Sequence, residues 1–258
     1  MAKPNQQQSS KKPGTALAKP NNTALAKFDY GNLGPNAGMQ SADKDSFAIP
    51  FLQILQKLSP QLDKNNPAYI KGATEGQILN TANGEVYDGD EGILVMPVEF
   101  KRSFTAWTIR EKGGGYRGEY MPSDPIIMTC KADERGRNMM PDNVTQLADT
   151  RLHGVILLNG DMPLPALISL TSTQIKKSKR WLTQMQERQR EDNLPTFAHV
   201  YKITTVPERN DRGNWMGLKI EPAGDVADQD HVDTAVSFFK ALQVGSLRMQ
   251  ADRSTQEE

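Results

Sequence analysis

The chain has 258 residues, carries 31 Lys plus Arg against 31 Asp plus Glu, and is 37% hydrophobic. That length suits one sizeable domain with tails, and the balanced charge lacks the whole-chain basic excess of a duplex-DNA binder. No run approaches the ~20 apolar residues of a membrane helix, the opening Met1-Ala2-Lys3-Pro4 is unlike a signal peptide, and the one cysteine and three histidines show no metal-ligand spacing. A cytoplasmic chain is therefore expected, with no membrane partner, no metal, no cofactor and no covalent-catalysis site.

Residues 1–40 read as a disordered basic arm. Up to Tyr30, Lys3, Lys11, Lys12, Lys19 and Lys27 stand against Asp29 alone, in a background of Gln, Asn, Ser, Pro and Ala that cannot form a core. Residues 41–228 read as one domain, introduced by the apolar stretch Phe47–Pro60 and built mostly from short β-branched and aromatic runs cut by Gly, Asn, Asp and Pro. The expected strands are Gln77–Asn80, a long Gly92–Ile109 bent at Pro97 or Ser103, Ile126–Cys130, Leu152–Asn159 and Ala166–Leu170. Asn83-Gly84 carries the signal of a type I′ hairpin, whose two central positions both need positive φ. Cys130, at the end of an apolar run, is expected as a buried, inert core thiol.

Thr171 and Gln174 have capping-box spacing at the start of a helix expected to run to Asp192, before Asn193-Leu194-Pro195 stops it. At 100° per residue Ile175, Trp181, Leu182 and Met185 fill one side of it, and Lys176, Lys177, Lys179, Arg180 and Arg190 the other. Strands His199–Val206 and Asn214–Glu221 follow, joined by the polar loop from Pro207 to Gly213. Residues 229–258 read as a C-terminal helix, from about Asp230 to Leu247, and an acidic tail. From Glu221 onward the chain holds eight acids against three bases.

A long bent strand, two further strands, a helix and a closing hairpin follow the element order of an OB-fold with its helix between strands three and four. The expected fold class is thus α+β, mostly antiparallel β, an OB-fold-like barrel with a C-terminal helix; strand order without pairing also fits other α+β folds. Phe47–Pro60 is expected to close the barrel's open end, with a subunit contact in a homo-oligomer as the alternative.

On such a barrel, single strands lie across strands two and three, between the loop joining strands one and two and the loop joining strands four and five. The first loop would contain Gly113–Tyr120, in which Tyr116 and Tyr120 flank Arg117, with Lys101, Arg102 and Trp107 on the strand before it. The second would contain Arg209 and Arg212, followed by Trp215 and Lys219 on the polar face of the last strand. Aromatic platforms beside phosphate-seeking cations are what sequence-tolerant strand binding requires, because every base has a π-face and every nucleotide a charge. Trp215 is equally suited to packing beneath a loop, and the basic helix face to lying in solvent.

Two stretches, Ile49-Pro50-Phe51-Leu52-Gln53-Ile54-Leu55-Gln56-Lys57-Leu58-Ser59-Pro60-Gln61 and the run from Ala166 to Trp181, resemble small proteins of tailed bacteriophages, a group associated with single-stranded-DNA binding. The resemblance implies a non-catalytic protein that coats or holds single-stranded DNA in replication or recombination of a phage genome, in the host cytoplasm. It carries over no binding residue. Phage proteins of that kind recruit replication partners through an acidic C-terminus; the ending Gln256-Glu257-Glu258 is only weakly acidic and lacks a terminal aromatic. Two alternatives stand beside this reading. One is a protein-interaction factor, a virion component or an inhibitor of host machinery, using the basic helix and the Phe47–Leu58 segment. The other is a Mg²⁺-dependent nuclease, since Asp88, Asp90, Glu99 and Lys101 imitate an Asp…Glu-x-Lys arrangement.

Overall fold

The computed structural model describes residues 37–41, 49–160, 162–211 and 213–251. The chain divides between Ala42 and Asp43 into two units. The described residues of the first form a turn, in which the Gly38 N–H donates to Gln40 Oε1 at 3.0 Å. All that follows concerns the second.

Its strands are β1 (Leu52–Ile54), β2 (Ile78–Asn80), β3 (Val86–Tyr87), β4 (Ile93–Thr108), β5 (Tyr116–Tyr120), β6 (Lys131–Ala132), β7 (Asn138–Met139), β8 (Thr145–Leu157), β9 (Leu164–Leu170), β10 (His199–Asn210) and β11 (Gly213–Asp225). The α-helices are α1 (Ile126–Thr129), α2 (Ile175–Asp192) and α3 (Gln229–Gln243). The strand pairings are antiparallel, apart from one isolated parallel bridge, Phe51 to Leu167. In the main sheet β11, β10, β4, β8 and β9 lie side by side. With α2 between β9 and β10, this makes the fold α+β, a curled half-barrel of OB-like type.

β4 pairs with β8 along nearly its whole length, with a register shift between Pro97 and Glu99. The bulge explains how a proline sits in a central strand, because Pro97 has no N–H to give to a ladder and the extra residue, Val98, relieves the mismatch. Of the two places offered for a bend, the shift chooses Pro97.

Alternation sorts the side chains of β4, β8 and β9 into two buried layers. Ile93, Val95, Val155, Leu157, Ala166, Ile168 and Leu170 face the barrel interior, where Trp181 and Met185 of α2 complete the core. On the opposite face Met96, Val98 and Ile156 pack under Ala235 and Phe238 of α3. Beside them Leu152 and Leu167 lie beneath Met249 and Ala251 of the segment after α3.

The half-barrel's edges, β9 and β11, are not paired with each other among the described residues. Pro50–Gln56 spans the gap. The Leu167 N–H donates to the Pro50 carbonyl at 2.8 Å, and the Gln56 side-chain amide mimics a strand backbone against Met216, donating to its carbonyl at 2.8 Å and accepting from its N–H at 2.9 Å.

Local structure departs from the sequence-based expectation at five places. Ile126–Cys130 is not a strand: Asp124 Oδ1 accepts from the Ile126 N–H at 3.0 Å and opens the single helical turn of α1. Cys130 ends that turn half-buried, outside the core, and burial pushes its thiol above the usual range. At Asn83-Gly84 only Gly84 has positive φ, at 71°; residues 81–84 make a wider connection, closed by the Asn80 N–H on the Glu85 carbonyl at 2.8 Å. Thr171 and Gln174 form no capping box, because the Gln174 side chain is used in tertiary contacts. The expected loop 207–213 is mostly strand, since β10 and β11 pair as far as Asn210 opposite Gly213.

Candidate nucleic-acid interface

The face on which an OB barrel usually carries a strand is closed here. Outward residues of β8 and β9 are covered by α3 and by Met249 and Ala251, and at Gly154 a Cβ would meet Met249 Sδ at 3.2 Å and the Phe238 ring at 3.3 Å, a tight fit. Covered apolar surface of this kind is core, so the expected groove across strands two and three is corrected.

The expected first loop is likewise a structured arm. Gly113, Gly114 and Gly115 turn the chain with positive φ, and β5 then folds back on β4, Phe104 opposite Tyr120 and Trp107 opposite Tyr116. Trp107 is buried, with the Tyr116 ring edge-on at 5.5 Å, so it offers no face for a base. Lys101 Nζ is held by Glu119 at 2.8 Å and by the Met249 carbonyl at 2.9 Å. Arg102 makes a two-pronged contact with Asp149 at 3.0 and 2.8 Å, and that carboxylate holds its guanidinium charge beyond the usual arginine range. Arg117 is exposed and donates to Thr108 Oγ1 at 2.6 Å; Tyr116 and Tyr120 are half-buried. This arm is thus mostly neutralised internally.

Of the other expected residues, those of α2 and Trp215 come together at the start of α2. Ser178, Trp181 and Met185 anchor the helix, with Ser178 Oγ 2.9 Å from Nε2 of the buried His153 and the Trp181 ring stacked on that imidazole at 4.5 Å. Lys176, Lys179 and Arg180 then point to solvent, and none of the three makes an ion pair among the described residues. Lys177 lies on the flank and meets Glu208 of β10.

Glu208 draws in two more donors: Trp215 Nε1 at 2.9 Å and Gln174 Nε2 at 3.1 Å. The same Gln174 accepts from the Leu218 N–H at 3.1 Å through Oε1, which pins the start of α2 to β11. Burial alone would raise the Glu208 carboxyl; the Lys177 ammonium and the Trp215 and Gln174 donors outweigh it and hold it below the usual range. Gly217 forms the floor, because a Cβ there would fall on the carboxylate. Trp215 is half-buried, Arg209 exposed, and Lys219 exposed and paired with Glu221 at 2.9 Å. Arg212 lies outside the described residues, as do most of the basic arm and residues 252–258 of the acidic tail.

Composition and periodicity found the cations of α2 and the aromatic of β11. They missed Glu208 and Gly217, which have no local signal, and gave Gln174 a capping role in place of its tertiary one; all three matter because separate elements converge.

A model of the family described as Pam3 phage gp34-like protein matches residues 18–248. The chain belongs to that family. It is a bacteriophage protein family, in keeping with the resemblance of the two stretches given above. No curated protein and no solved structure matches the chain.

The nuclease constellation does not assemble. Asp88 Oδ1 accepts from the N–H groups of Asp90 and Glu91 at 2.8 and 2.9 Å, Glu99 is bonded to the Phe100 N–H and to Gln243, and Lys101 is taken by Glu119. Among the described residues no three His, Cys, Asp or Glu side chains converge as a metal-holding group, and no helix is long and apolar enough to cross a membrane.

Proposed function

We propose that this phage-family protein binds single-stranded DNA without sequence preference, as a non-enzymatic factor in replication or recombination of a phage genome in the host cytoplasm. The supporting observation is the surface at the start of α2. Lys176, Lys179 and Arg180 stand free of acids among the described residues, and Lys177 joins them through Glu208 to Trp215 on the hairpin that carries Arg209. Cations for phosphates next to an indole for a base are the parts of a sequence-tolerant strand site. The site lies on the α2 and β10–β11 side, away from the face covered by α3.

The test is fluorescence anisotropy of labelled poly-dT at low and moderate salt, with Mg²⁺ present and duplex as competitor. Saturable, salt-sensitive binding that duplex fails to displace, with the label intact, is the expected result. Absence of binding at low salt overturns the reading and favours a protein-interaction factor. For that second reading the specific observation is the pair of exposed methionines on either side of the start of α1, Met121 at 56% and Met128 at 92%. Shortening of the label would point to nuclease activity instead.

A further inference from the structure

The cluster on Glu208 has the form of an oxyanion site that already holds an anion. Its donors come from three separate places: Lys177 on α2, Gln174 in the turn before it and Trp215 on β11. Both carboxylate oxygens are used, Oε1 by Lys177 and Oε2 by the other two. The bare backbone of Gly217 makes the room.

A carboxylate and a phosphate ask for the same partners, but a phosphate diester continues into a chain whose neighbouring charges and bases could meet Arg180, Arg209 and the Trp215 ring. Glu208 can be moved aside without unpicking the sheet. It sits where β10 has left β4, which pairs with Tyr201–Ile203 and not with the outer part of the strand, and its side chain is one quarter exposed.

We propose that the cradle of Lys177, Gln174, Trp215 and Gly217 is a seat for a backbone phosphate of a bound strand, and that Glu208 occupies it in the free protein as an internal phosphate mimic. The proposal rests on the strand-binding reading and adds a competitor to it: strand entry displaces Glu208, frees Lys177 for the phosphate and releases the Trp215 indole edge. Because Lys177 is neutralised until then, Glu208 sets the affinity of the site and prevents weak anions from filling it.

Two measurements on the full chain test this. The first compares wild-type, Glu208→Gln and Lys177→Gln binding to poly-dT across a salt series. In Glu208→Gln, glutamine keeps a hydrogen-bond acceptor but removes the resident charge, so the variant is expected to bind several-fold more tightly at low salt with the wild-type log–log salt slope, since both make the same phosphate contact. Lys177→Gln is expected to lose about 0.7 of that slope, one phosphate contact on a single strand. The second follows the Trp215 indole N–H resonance of the wild-type protein, assigned with Trp215→Phe, during titration with inorganic tripolyphosphate and, separately, with short oligo-dT. A saturable shift with both, abolished in Lys177→Gln, is expected. If poly-dT binds while the Glu208→Gln affinity, the Lys177→Gln slope and the Trp215 resonance all stay at their wild-type or unbound values, the phosphate seat is overturned and the strand-binding reading survives. If tripolyphosphate moves Trp215 while no poly-dT binds, the seat stands and the strand-binding reading fails. If neither ligand acts, both are overturned.

Discussion

Individual side chains carry more of this fold than their types suggest. Gln56 stands in for a strand, satisfying the N–H and carbonyl of Met216 at an edge of the half-barrel. Gln56→Leu leaves both groups half-buried and unpartnered, at a cost of about 1–3 kcal/mol after allowing for their partial contact with water. The expected reading is a lower urea midpoint with an unchanged m-value.

His153 is the second case. Buried between Phe100 and Trp181 with Ser178 on its Nε2, it is pushed by burial first, and by the Arg151 charge second, down to about 3 from an ordinary 6.5. The folded protein therefore keeps a neutral imidazole while the unfolded chain takes up a proton below pH 6.5. Above that pH the group contributes no slope; below it, stability falls by about 1.4 kcal/mol per pH unit until the folded form also protonates. His153→Gln, which can still bond Ser178, is expected to flatten the acid limb between pH 6 and 4 in urea titrations at stepped pH.

At the level of elements, α2 is built against its own electrostatics. It has no acid in its first turn, yet Lys176, Lys177, Lys179 and Arg180 all fall near its N-terminus, where the helix dipole favours negative charge. Stability therefore does not explain this charge pattern, whereas attraction of a phosphate chain, under the function proposed above, would. Lys176→Glu is accordingly expected to move two observables in opposite directions. The thermal midpoint should rise, by the equivalent of about 0.3–1 kcal/mol, while poly-dT affinity and its salt slope fall. A rise in stability with binding unchanged would detach α2 from the proposed interface.

The C-terminal helix makes the converse case. Its spacing of apolar residues is visible in Val232, Val236, Phe239, Leu242 and Val244; of these Phe239 and Leu242 pack against the core and Val244 is 79% exposed, while the fully buried residues are Ala235 and Phe238. Phe238→Ala opens the covered face of β4 and β8 and is expected to cost about 3–5 kcal/mol. Strand affinity per folded molecule should stay at the wild-type value, because that face takes no part in the proposed site.

For the molecule as a whole, charge neutrality hides a division of labour. On and beside the arm formed by β4, β5 and β8 several cations have an acid: Arg102 with Asp149, Lys101 with Glu119, and Arg137, just before β7, with Asp133 and Glu111. In the first turns of α2, Lys176, Lys179 and Arg180 have no ion-pair partner among the described residues, and elsewhere neither do Lys112, Arg117, Lys131 and Lys202. A count of residues cannot separate these groups, since pairing is a property of distance. The same limit explains the aromatics, for Trp107 and Trp215 stand alike beside cations in sequence, and only the fold-back of β5 buries the first.

By itself the sequence determined the mostly antiparallel α+β class, the long strand and its bend, the position of α2 and its division into a core side and a basic side. These follow from local periodicity, turn chemistry and the steric demands of proline, which act within a few residues. Tertiary structure decided which expected site residues are exposed, that α3 covers the usual ligand face, that glutamine amides replace strand pairing, and that Glu208 gathers donors from three elements. Those features depend on groups far apart in the chain meeting at about 3 Å, where hydrogen bonding and desolvation act, and no spacing in the sequence encodes that meeting.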